Sequence, residues 1–165
     1  MPKILTRDFV LSFFSQFTFS SVFSILIPTI PIYLARMGAK EAEIGVLVGA
    51  LSVSSLVLRP LVGRGLLKIP EKNFMVVGAI IYTLSSMAYL FAKPFWPLLA
   101  LRVFQGMGLA LFSTASLTLV ANITPDTHRG QIISYYFLSY NFAFALAPYF
   151  GMLLINQLGF TALFL

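Results

Sequence analysis

The chain has no cysteine, one histidine and five acidic residues in a total of 165. Without cysteine there is no thiolate metal site, no thiol nucleophile and no disulfide framework, and one histidine in a polar stretch cannot build a metal cluster. Nothing in the composition calls for a cofactor. Charge of either sign is scarce: 10% of residues are Asp, Glu, Lys or Arg, against about 25% in a water-soluble domain. The acids are Asp8, Glu41, Glu43, Glu71 and Asp126, and none lies deep in an apolar run; only Asp8, at the start of the first, comes close. The many serines therefore have no base at depth to activate them, which argues against an intramembrane enzyme.

What is abundant is apolar surface. Hydrophobic residues make up 59% and aromatics 15%, with a mean hydropathy of +0.92. A bilayer core about 30 Å thick needs about 20 apolar residues as helix. The polar interruptions delimit five such stretches, at about 9 to 34, 44 to 66, 74 to 92, 97 to 121 and 131 to 155. The first is too long for a signal peptide and runs into a turn, so it reads as a retained span. A sixth begins at Gly159, where "GFTALFL" rises only about 10 Å as helix. The expected fold is an all-α, multi-pass membrane bundle forming a single domain over residues 1–165. Five spans are complete, and the chain is truncated within the sixth helix. Short connections predict that sequential helices are antiparallel neighbours, while matching the first spans against the later ones reveals no internal repeat.

The net charge of +6 is scattered between apolar runs and forms no basic tract, which argues against nucleic acid. Lys3, Arg7, Arg64, Lys68, Lys72 and Arg129 fall on one side, and Arg36, Lys40 and Lys93 on the other. The positive-inside rule then places the amino terminus in the cytoplasm of a cell membrane, such as a cell inner membrane. Lys93 and Trp96 in "KPFWP", with Tyr33, mark the outer headgroup level.

Within the spans, polar residues stand out. Ser12, Gln16, Ser20 and Ser24 recur every four residues and make one slanting stripe on the first helix, suited either to interhelical hydrogen bonds or to lining a hydrated path. Asn141 in the fifth span is a further candidate for cavity lining. Pro28 and Pro31 mark either a flexing point or the end of the first helix before Gly38. Gly45 with Gly49, and Ala143, Ala147 and Gly151, are spaced for close helix contact. Arg102 is the one charge between Pro97 and Ala121, where an arginine at a helix centre costs roughly 2.5 to 3.5 kcal/mol. Snorkelling outward would relieve part of that cost. Gln105 one turn on, with Gly106 and Gly108 admitting a neighbouring backbone, predicts instead that the guanidinium faces the bundle interior.

Together these segments resemble the amino-terminal half of a major facilitator superfamily transporter, along essentially the whole chain. "RVFQGMGLA" is similar to the family pattern R-x-x-Q-G-x-G-x-A at Arg102, Gln105, Gly106, Gly108 and Ala110. "RPLVGRGLLKIPEKN" keeps the outline of the loop G-x-L-x-D-R-x-G-R-[RK], with Arg59 and Pro60 as its approach, then Gly63, Arg64, Lys68 and Lys72. Leu67 stands where the family has its aspartate, and Pro70 and Glu71 where it has glycine and arginine. "ALAPYFG" resembles the antiporter signature G-P-x-x-G at Pro148 and Gly151, with Ala147 for the first glycine. "PDTHRGQ" matches the loop before that span at Arg129 and Gly130.

The resemblance implies two halves rocking around a midplane substrate site, so partners would be the bilayer, a small-molecule substrate, protons, and a missing carboxy-terminal half or second copy. It tilts the expected function toward proton-coupled efflux by alternating access. Arginine does not itself release a proton, so Arg102 would act through its field on an acid outside these spans. An aromatic first span without a buried carboxylate favours neutral or weakly charged cargo. The competing expectation is a truncated or structural membrane piece with no transport activity of its own.

Overall fold

The computed structural model describes residues 6–89, 91 and 95–164, with side chains described to Ile155 and at Gln157. Lys3, Lys93 and the end of the expected third span lie outside the described residues. Five long helices follow one another: α1 (Arg7–Arg36), α2 (Glu41–Gly65), α3 (Glu71–Ala88), α4 (Phe95–Asn122) and α5 (Arg129–Phe164), with a 3-10 turn at Asp126–His128 before the last. Local chemistry sets the ends. The Thr6 hydroxyl accepts from the Phe9 amide at 3.3 Å, and Glu43 reaches back to accept from the Lys40 amide at 2.9 Å, each satisfying an orphan donor of a first turn. Between α1 and α2 the chain reverses at Gly38, whose φ of +81° is a left-handed conformation open to glycine at little cost.

Four of these helices are long and apolar enough to cross a membrane: α1, α2, α4 and the segment from Asp126 to Ile155. The third expected span differs. Helix α3 has 18 residues, a rise of about 27 Å, and its first turn is Glu71, Lys72 and Asn73, so the apolar part is shorter than the bilayer core. No sixth helix begins at Gly159; α5 continues through it to Phe164. A lone glycine costs a helix only about 1 kcal/mol, and no proline follows to break it. Pro28 and Pro31 likewise stand inside α1, which runs on to Arg36, so they do not end the helix. They remove the bonds that the Ser24 and Ile27 carbonyls would have accepted.

Sequential helices are for the most part not neighbours. Helix α4 packs along both α2 and α3, α1 packs along α5, and contact between α1 and α2 is slight. The small residues of α4 explain this. A Cβ placed on Gly108 would lie 2.8 Å from the Gly78 carbonyl oxygen and 2.8 Å from the Tyr82 nitrogen. One on Gly106 would meet the Leu51 carbonyl and the Ser54 hydroxyl. Backbones this close are reachable only where side chains are absent. On the other side, Gly151 meets Ile25, where a Cβ would lie 2.8 Å from Cγ2, and Ala143 and Ala147 are buried in line with it. Gly45 and Gly49 of α2, by contrast, have open space where a Cβ would be. That pair is turned away from any described neighbour, because α2 gives α4 the face with Leu47, Leu51 and Ser55.

An aromatic junction joins the two groups of helices. Phe19 of α1 stacks on Phe112 of α4 with ring centroids 3.9 Å apart and tilts against Tyr82 of α3 at 4.9 Å.

Candidate transport site

Arg102 sits in the second turn of α4, about 10 Å along the helix from Phe95. Its side chain is 5% exposed, so it lies inside the bundle and does not snorkel. One turn on, Gln105 is fully buried and is the hub. Its Oε1 accepts from Arg102 Nη1 at 3.1 Å and from the Tyr89 hydroxyl at 2.7 Å. Its Nε2 donates to Ser86 Oγ at 3.0 Å, and that hydroxyl in turn donates to the Tyr82 carbonyl at 2.8 Å. The guanidinium carbon lies 5.7 Å from the centroid of the Tyr89 ring, within cation–π range. Gly108 makes the whole arrangement possible by letting α3 approach α4 at Tyr82.

No carboxylate takes part. Among the described residues the one ion pair is Arg129 with Asp126 at 2.7 Å, both exposed. The positive charge of Arg102 is therefore held by an amide oxygen and an aromatic face, and its Nε finds no partner. The Tyr82 hydroxyl is also buried without one. Both side chains line a cavity of about 230 Å³ that opens between α1 and α2.

The serine stripe of α1 is buried along its length, at Ser12, Gln16, Ser20 and Ser24, but its members do different things. Gln16 donates to Ser20 Oγ at 2.9 Å and accepts from the Tyr136 hydroxyl of α5 at 2.6 Å. Tyr136 also contacts Ser116 of α4 at 2.6 Å, so one short chain ties three helices. Gln16 and Ser20 border a second cavity, of about 140 Å³, with Arg59, Ser113 and Tyr140. Ser12 donates to its own helix at the Asp8 carbonyl, 2.8 Å away, and borders a third, of about 470 Å³, between Asp8 and Lys72 at the amino-terminal end of α1. Ser24 Oγ has no partner.

Other expected residues fall elsewhere. Asn141 is exposed on α5 and borders none of these three cavities. Pro60, Gly63, Arg64, Lys68 and Lys72 are exposed at the end of α2 and the start of α3, and Pro148 is half-buried inside α5. Residues missed by the sequence reading are Tyr82 and Ser86 on α3, Tyr89 at its C-cap, Ser116 on α4, and Tyr136 and Tyr140 on α5. The first three stand at i, i+4 and i+7, one face of a helix, and that spacing was the available signal.

The sequence matches the Major Facilitator Superfamily profile over residues 12–165. It is 27% identical over 147 residues to the quinolone resistance protein NorA of Staphylococcus aureus, covering 89% of this chain and 38% of that protein. Identity is 26% over 159 residues to an uncharacterized MFS-type transporter of Methanocaldococcus jannaschii, covering 96% and 41% respectively. The chain spans about two fifths of the length of these curated relatives. Long apolar helices packed through glycine crossings, a buried arginine–glutamine pair on the fourth of them, and a profile match over nearly the entire length lead to one conclusion: the chain belongs to the major facilitator superfamily.

Proposed function

We propose that this chain forms the amino-terminal half of a membrane transporter that moves small amphipathic compounds outward in exchange for protons, by alternating access. The observation that carries the reading is Arg102, a buried cation held by Gln105 and Tyr89 at membrane depth. An intramembrane charge is costly and marks a substrate or ion pathway by default. The quinolone resistance relative supports the outward direction, as do Pro148 and Gly151 in α5.

In this reading the amino terminus is cytoplasmic, as the excess of lysine and arginine on that side indicates. The cavity bordered by Gln16, Ser20 and Arg59 is part of the path. Gly63, Arg64, Lys68 and Lys72 belong to the turn that changes partners as the transporter rocks. The coupling acid lies outside the described spans, and the Arg102 field favours its charged form.

Everted vesicles from cells producing the complete gene product, loaded with a proton gradient, test this. Gradient-dependent accumulation of an amphipathic dye that collapses with a protonophore is expected, and accumulation indifferent to the gradient would refute coupling. The share of the relatives' length that the chain covers favours a second reading, a membrane piece that transports nothing alone. Transport by the purified 165-residue chain in liposomes would overturn it.

A further inference from the structure

The cavity between α1 and α2 has an apolar wall and a polar floor. Phe23, Leu26 and Ile27 of α1 and Val48 and Leu51 of α2 supply the wall, which carries one hydroxyl, that of Ser52, while Tyr82 of α3 and Arg102 of α4 supply the floor. Both floor residues are almost fully buried, at 1% and 5% exposure, and each carries a polar atom without a partner, the Tyr82 hydroxyl and Arg102 Nε. A buried donor left unmade costs about 1 to 3 kcal/mol, more when charged. Two of them at one cavity is an arrangement that a ligand would complete.

The neighbouring groups do not complete it. The Gln105 oxygen already accepts from Arg102 Nη1 and from Tyr89, which occupies both lone pairs. The Gln105 amide and Ser86 are committed to each other. Nε–H only donates, and among the described residues no carboxylate lies within ion-pairing distance of this guanidinium. What fits is an acceptor with negative charge and two oxygens, so that one takes the guanidinium and the other the phenol. About 150 Å³ of apolar cavity is enough for a benzene ring, and here about 230 Å³ is present.

We propose that Tyr82 and Arg102 form an anion subsite that binds the carboxylate of a compact aromatic or branched aliphatic acid, with its apolar part against Phe23, Leu26 and Leu51. The acid replaces the missing counter-charge of Arg102 and removes both unpaired donors. As a cargo subsite it rests on the transport reading above; as a binding site it does not. It also changes the expected cargo from neutral to acidic.

The test uses the protein in lipid nanodiscs, 4-fluorobenzoate as probe followed by fluorine NMR, and 4-fluorobenzylamine as the oppositely charged control. Saturable binding of the acid is expected, above that of empty nanodiscs, with no competition from the amine. Tyr82→Phe removes an oxygen that bonds to nothing in the structure, so the fold is retained while affinity falls about tenfold or more. Gln105→Glu, which places a carboxylate beside Arg102, is expected to abolish binding. Arg102→Lys, without Nε, is expected to weaken it at least as much as Tyr82→Phe. Should the lysine variant fail to insert, the phenylalanine variant still decides.

Unchanged affinity in Tyr82→Phe, equal binding of the amine, or no saturable binding at all would overturn the subsite. The two readings separate in vesicles made with the complete gene product. Acid binding sensitive to Tyr82→Phe without gradient-driven transport sinks the transport reading alone, and transport by a Tyr82→Phe variant with unaltered acid affinity sinks the subsite alone.

Discussion

Replacing Gly108 by alanine adds one methyl group at the crossing of α3 and α4, and its cost can be worked from the geometry. The new carbon would sit 2.8 Å from both the Gly78 oxygen and the Tyr82 nitrogen, about 0.6 Å inside an ordinary 3.4 Å contact. Both obstacles are backbone, so no side chain can swing away; the helices must part by about half an ångström. A gap of that size forfeits roughly a quarter to a half of each dispersion contact it opens, and overpacking of this kind typically costs 1 to 3 kcal/mol. Nothing offsets it. The gain of about 1 kcal/mol from Gly to Ala in water-soluble helices is absent in a bilayer, where the separated helix remains helical.

The same displacement stretches the Tyr89–Gln105 bond from 2.7 Å past the usual range for a hydroxyl donor. Gly108→Ala is therefore expected to lose about 1 to 3 kcal/mol in reversible unfolding by steric trapping, roughly a 5- to 150-fold change in the equilibrium. Gly45→Ala and Gly49→Ala, with open space around them, are expected to unfold like the parent. Equal stability of the Gly108 and Gly45 variants would refute the close crossing on which the site depends.

Substitutions at three further positions follow from the contacts described above. Arg102→Ala is expected to abolish gradient-driven transport by the complete gene product and Arg102→Lys to leave little, since lysine lacks the planar donor fork; parent-level transport in the alanine variant would make the arginine dispensable. Tyr136→Phe removes two 2.6 Å bonds, to Gln16 and Ser116, and at about 0.6 kcal/mol per interhelical bond in membranes should lower stability by about 1 kcal/mol in the same unfolding assay. Phe19→Ala deletes the stack on Phe112 and the contact with Tyr82. The loss is expected to be about 1 to 2 kcal/mol, below the 3 to 5 of a water-soluble core because lipid tails are as apolar as the ring.

Hydropathy located the first four helices and the start of α5 to within a few residues because bilayer thickness is a constraint that acts on each segment separately, but it ended α5 nine residues early, at Ile155 instead of Phe164. The inward-facing Arg102 and Gln105 were legible for a similar reason, since their relation lies within one helix. What was not legible depends on how helices rotate and cross. Gly45 and Gly49, four apart, have the spacing of a close helix contact and Gly106 and Gly108, two apart, do not, yet only the second pair meets a backbone, which is decided by the face α2 gives to α4. The neighbour rule failed where α4 inserted between α2 and α3, because its glycine and alanine face admits two partners. Ser86 and Tyr89 needed the α3–α4 crossing before their hydroxyls could be matched to Gln105, and Tyr82 needed it before it could be placed at the Arg102 cavity. Asn141, polar and mid-span, lies on an exposed face of α5, a matter of helix rotation that polarity alone does not fix.

The pairing of α1 with α5 has a consequence for how the protein is made. Gln16 and Tyr136 are 120 residues apart in sequence, and a ribosome adding roughly 5 to 20 residues per second needs about 6 to 24 s to cover that interval. Helices α3 and α4 meet almost as soon as both are synthesized. For most of those seconds α1 carries its row of serines and Gln16 in the membrane before the Tyr136 hydroxyl exists. Biogenesis therefore depends on holding α1 near the insertion site, or on its polar face tolerating lipid for that time, until α5 emerges and packs along it.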